Sequence, residues 1–133
     1  MAKRSLAAAM DKYLDVFKTG SGSVGPANKM VACNAEPTTF TEANATFALA
    51  DVAMAGGDFT IAAGDGAGNV PRKVAMAAKN AVPIDTSGTA THIALVDTVN
   101  SLLLLVTTCT SQALTAGGTV NFPAWKLEVG APT

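Results

Sequence analysis

The chain has 133 residues, with nine Lys or Arg against ten Asp or Glu for a net charge of −1; 49% of it is apolar and only 14% charged. A chain of this length makes one domain, burying roughly two-thirds of its unfolded surface in one core. Without clustered cations it has no field to recruit nucleic acid. A charge share well below the ~25% of ordinary soluble domains instead favours outer faces partly covered by copies of itself or by a partner, although a monomer with an Ala- and Thr-rich surface fits the same composition.

The first segment reads as the one good helix. Leu6, Met10, Tyr13, Leu14 and Phe17 recur at i, i+4, i+7, i+8 and i+11 and fall on one stripe, with Lys12, Asp15 and Lys18 elsewhere. Ser5 is placed to cap its start and Gly20 to end it. Residues 6–10 are too short for the apolar segment of a secretory signal, and Asp11, Lys12 and Asp15 keep the apolar run from extending further. The next stretch, 20–26 (GSGSVGP), is flexible by composition. Residues 1–28 therefore read as a helical arm and linker, and 29–133 as a β domain. The apolar stripe has two uses open to it, docking on its own core or contacting a neighbour during assembly.

From residue 29 the period changes. Short apolar runs at 29–35, 47–55, 59–62, 70–79, 90–97, 102–109 and 120–129 are separated by Gly, Pro, Asn, Asp and Ser. Seven or eight such strands describe a mainly β protein: an antiparallel β-sandwich or jelly-roll-like domain with one N-terminal α-helix. The last run alternates cleanly, with Trp125, Leu127 and Val129 on one face and Lys126 and Glu128 on the other. Pro71 and Pro123 mark edges or bulges, because proline cannot donate to a ladder. The Ala-rich runs 47–55 and 74–81 compete with helix, but the Gly56-Gly57 and Val82-Pro83 pairs at their ends favour strand. The run 102–106 is far short of the ~20 residues that span a bilayer and reads as core.

Groups able to do chemistry are sparse. His92 is the only histidine and falls in strand register with Ala90, Ala94 and Val96, where a structural role is the simpler reading. With Cys33 and Cys109 it totals three zinc-type ligands, but the close Cys-x-x-Cys or His-x-His spacing is missing. The two cysteines permit one disulfide or two buried thiols. No serine sits in a G-x-S-x-G elbow, and Asp51, Asp58, Asp65, Asp85 and Asp97 fall mostly at turns, where Asp bonds its own backbone. Residues 64–69 (GDGAGN) run into Val70, Pro71 and Arg72 and read as a hairpin loop; a phosphate loop would open a helix. Calcium at Asp58 and Asp65 would lack a dense acidic ligand set, and the Asn44-Ala45-Thr46 sequon has no secretory context. The expectation is a non-enzyme with no catalytic residue, cofactor or metal.

Three stretches carry a resemblance: 32–65 (ACNAEPTTFTEANATFALADVAMAGGDFTIAAGD), 82–98 (VPIDTSGTATHIALVDT) and 103–132 (LLLVTTCTSQALTAGGTVNFPAWKLEVGAP). They resemble a group of small tailed-bacteriophage proteins encoded among virion structural genes. TATHIALVD and VTTCTSQALTAGGTVNFPAW are the most specific parts, and both are scaffold strings that carry no functional residues across. The resemblance implies a virion protein that decorates or stabilises the capsid. Its expected partners are itself, as a homo-oligomer, and other virion proteins such as the major capsid protein, with no nucleic acid and no membrane. A neck, collar or tail position, or a fibre-type module binding a host glycan, stands as the alternative. The stripe Leu6, Met10, Tyr13, Leu14 and Phe17 is the expected assembly contact.

Overall fold

The computed structural model describes residues 7–65 and 72–130. Its elements in chain order are α1 (Ala7–Thr19), β1 (Lys29–Cys33), a π-helical turn (Glu42–Thr46), β2 (Ala48–Ala53), a 3-10 turn (Gly56–Asp58), β3 (Phe59–Ala63), β4 (Arg72–Met76), β5 (Lys79–Pro83), β6 (Gly88–Asp97), β7 (Leu102–Leu114), β8 (Thr119–Phe122) and β9 (Trp125–Val129). All strand pairs are antiparallel, in sheets ordered β2-β1-β6-β7, β3-β4-β9 and β5-β8. The protein is a mainly β, sandwich-like antiparallel domain with one N-terminal helix.

The four-stranded sheet is the central layer. Met30 and Ala32 of β1, with Ile93 and Leu95 of β6, face the main core, which is closed on the far side by Leu14 and Phe17 of α1 and by Phe59, Val74, Met76 and Phe122. Val31, Cys33, Ala94 and Val96 point the other way, into a smaller cluster covered by Ala43, Phe40 and Phe47. Residues 34–47 thus lay a lid of loop and π-helical turn on the second face. Glu42 holds this lid by accepting from the amides of Thr38 and Thr39 at 2.7 and 3.2 Å and from the Thr38 hydroxyl. Those donors stabilise its charged form and hold its carboxyl below the usual range.

Two bulges explain apolar runs that do not alternate. Between Ala32 and Cys33 the β1–β2 register slips by one residue, so Leu49 and Ala50 both reach the main core. A second slip, between Leu95 and Val96, inserts Leu104 into β7. Leu104 and Leu105 then turn to the main core, while Leu103 and Val106 pack on the smaller cluster. The run 102–106, expected as core, is only half-buried because it lies on the outermost strand of its sheet.

The expected strands 70–79 and 120–129 are each cut in two. β4 pairs with β9 and β5 with β8, yet the register continues from Met76↔Trp125 to Lys79↔Phe122. The four strands are one long ribbon bent where Ala77 and Ala78 face Pro123 and Ala124, and proline's missing amide lets the ladder break there. β5 extends past this bend through a second irregularity at Ala81, whose φ of 55° is left-handed and whose amide donates to Asn121 Oδ1 at 2.8 Å.

The segment read as a flexible tether is a fixed turn. Gly20 ends α1 at φ 75° with its amide donating to Val16 O at 3.0 Å, and Ser21 and Val24 exchange backbone bonds of 2.7 and 3.0 Å. The Gly25 amide donates to Asp97 Oδ2 at 2.7 Å, and the Ala27 amide to Phe17 O at 3.0 Å. The helix is further clamped by Arg72, whose guanidinium donates to both carboxylate oxygens of Asp11 at 2.6 and 3.0 Å. Of the two uses open to the stripe, α1 shows docking on its own core. The Ser5 cap lies outside the described residues.

Candidate functional site

The chemistry-bearing side chains lie scattered, each in a structural arrangement. Cys33 is fully buried in the smaller cluster, whereas Cys109 packs against the main core, and both are free thiols. Burial, with Cys109 adding to it, pushes the Cys33 thiol up to about 11, and burial also raises Cys109. Neither is a ready nucleophile. Treating native protein with iodoacetamide at pH 8 is expected to label half-exposed Cys109 well before Cys33, with intact-mass spectrometry counting the adducts; equal rates would contradict this burial. His92 pairs across the sheet with Cys33 and Thr108, and its Nδ1 lies 2.9 Å from the Thr91 hydroxyl.

Most of the carboxylates are similarly engaged. Asp58 accepts from Lys79 and from the Ala55 amide, both at 2.8 Å, and the lysine hydrogen bond chiefly lowers its pKa. Asp65 accepts from Lys126 and Lys73, which bring its carboxyl down to about 2. Asp58 and Asp65 flank opposite ends of β3, each already neutralised by lysine. Among the described residues no group of three or more His, Cys, Asp or Glu is placed to hold a metal ion. β3 and β4 pair antiparallel up to Ala63↔Arg72; of the expected hairpin loop 64–69 only Gly64 and Asp65 are described, and the rest, with Val70 and Pro71, lies outside the described residues.

Asp97 is the one buried charged residue among those described. Its carboxylate accepts from the amides of Gly25, Val99 and Asn100 at 2.7, 2.9 and 3.2 Å and from Asn100 Nδ2 at 2.6 Å. The Asn100 side chain, ahead of the three amides, lowers its pKa against the cost of burial. This group fastens the turn after α1 to the β6–β7 hairpin; a turn aspartate was expected here, but not its reach across the fold.

The expected assembly stripe is mostly spent inward. Met10, Leu14 and Phe17 are buried, Tyr13 is 64% exposed, and Leu6 lies outside the described residues. Aromatic platforms for a sugar are few: Trp125 is half-buried against the core with its indole Nε1–H 3.4 Å from Met30 Sδ, leaving Tyr13 the exposed ring. A cavity of about 170 Å³ opens between β7 and β8, walled by Ile93, Cys109, Leu114 and Phe122 with Gln112 and Asn121 at polar positions. No helix among the described residues is long and apolar enough to cross a membrane.

What stands out is the β7 edge. It closes the sheet order on one side, carries thirteen residues, and its side chains from Leu102 to Thr107 are all half-buried. The sequence held a signal for it, a run of thirteen residues without a charge or a proline, but periodicity alone does not say whether an apolar strand is central or outermost. No protein-family model, curated protein or solved structure matches the chain.

Proposed function

We propose that this chain is a structural protein of a tailed-phage virion, decorating or stabilising the capsid through contacts with its own copies and with other virion proteins. The observation that carries this reading is the long uncharged edge of β7, a joining surface in a protein most of whose carboxylates are engaged in holding the fold. An open sheet edge recognises other chains through backbone hydrogen bonds and needs no chemical site. The resemblance of TATHIALVD and VTTCTSQALTAGGTVNFPAW to tailed-phage structural proteins supplies the particle. The docked helix suits the same role, since a clamped α1 adds to a rigid module.

Quantitative mass spectrometry of purified particles tests it. Hundreds of copies per virion are expected for capsid decoration. A few copies would move the protein to a neck, collar or fibre position, and its absence from particles would overturn the proposal.

A further inference from the structure

We propose that the free edge of β7 is a homotypic interface, at which a second copy of this chain adds its own β7 antiparallel about a two-fold axis and fuses two four-stranded sheets into one. The inference rests on the reading of the chain as an assembly protein and names the partner of that surface.

The two edges of the sheet are treated differently. On the β2 side, the amides of Asp85 and Thr86 donate to Leu49 O at 2.9 and 3.0 Å, and Ala50 forms a bridge with Ile84, so this edge is capped from within the chain. On the other side, among the described residues, β7 pairs only with β6, and its outward amides and carbonyls have no backbone partner. Soluble proteins blunt such edges with lysine, proline, inward charge or short length. The shorter edge strand β9 carries Lys126 and Glu128, but β7, LLLLVTTCTSQAL, has no such residue. Its two interruptions are geometric: the register with β6 slips at Leu104 and again over residues 109–111, leaving 105–108 as the regular stretch.

Charge favours an identical strand as the occupant. A two-fold axis brings each residue near the axis against its own image, so any charged side chain there would oppose a like charge. β7 has none, and the whole chain carries a net charge of only −1. Pairing over 105–108 would set threonines and aliphatic side chains across from one another, both favourable cross-strand neighbours. The image strand would also cover Leu103 and Val106, which the chain's own lid leaves half-exposed.

Sedimentation equilibrium of the purified full-length chain reads the mass, and hydrogen exchange reads the edge. Wild-type protein is expected at twice the chain mass at micromolar concentration, with the outward amides of 105–108 protected. Thr108→Lys, at an exposed position, sets two cations beside the axis and is expected to weaken association by about tenfold or more while releasing those amides. A monomeric wild type, or outward amides of 105–108 that exchange freely in the wild type, would overturn the interface whether or not the variant folds. So would a dimer indifferent to Thr108→Lys. A chain monomeric in solution but abundant on virions would sink this inference alone; a β7-paired dimer absent from virions would sink the proposed function alone.

Discussion

Replacing Asp97 with alanine is expected to destabilise the fold by about 1.5–3 kcal/mol, because four part-buried hydrogen bonds to one charged acceptor are lost together and the turn after α1 is released from the β6–β7 hairpin. Gly25→Ala attacks the same joint from the other side. A Cβ there would lie 2.6 Å from Asp97 Oδ2 and 2.9 Å from Asn100 Nδ2, so either the carboxylate or the turn has to move, at roughly 2–3 kcal/mol. The two costs are not additive, since both break one hydrogen-bonded group. Thermal unfolding followed by circular dichroism measures each; a Gly25→Ala protein as stable as wild type would mean that the turn is not fastened to the hairpin.

The same carboxylate sets a pH dependence. Its folded pKa lies below the unfolded value of ~3.9, so its contribution is fully present above the unfolded pKa and is lost as pH falls through the folded one. Asp97→Asn keeps the shape but cannot carry the charge. The stability gap between wild type and Asp97→Asn is therefore expected to be constant from pH 7 to about 5 and to shrink below about 4. Glu42, Asp58, Asp65 and Glu128 also have lowered pKa values, so both proteins keep an acid limb and only their difference reports on Asp97.

The second large effect belongs to the helix. Leu14 is fully buried in the main core, and Leu14→Ala is expected to cost about 2–5 kcal/mol, the range for deleting a packed leucine side chain. Tyr13, one residue earlier and 64% exposed, is expected to change stability by no more than about 0.5 kcal/mol when cut to alanine. Urea unfolding of the two variants separates a docked helix from an arm: a small loss for Leu14→Ala would mean that α1 packs on its domain only weakly.

The contrast between those two positions shows what periodicity reads and what it leaves open. Leu14, Phe17 and Met10 were legible as one apolar stripe because helical geometry sets their spacing, and the end at Gly20 because glycine takes φ 75° there freely. Which surface the stripe would meet was not encoded locally. The GSGSVGP stretch reads as a tether, yet its Gly25 amide is held by a carboxylate 72 positions away. Similarly, the short runs marked most of the strands, but the break between β4 and β5 escaped notice because the Ala-rich run 74–81 carries no turn residue between them. The lid at 34–47 escaped because a π-helical turn has no sequence period to reveal it.

By itself, then, the sequence determined that this chain would be mainly β with one leading helix, and that it holds no Cys-x-x-Cys, His-x-His or G-x-S-x-G string. These are properties of neighbours along the chain: alternation, i+4 spacing, turn residues and motif distances. Only the tertiary structure decided that 72–83 and 119–129 form a single bent ribbon, that the helix joins the core, and that the β2 edge is capped while, among the described residues, β7 stays open. Each depends on which distant strand supplies the next hydrogen bond. An apolar strand has the same pattern in the middle of a sheet as at its edge, so its exposure is set by the neighbour it lacks.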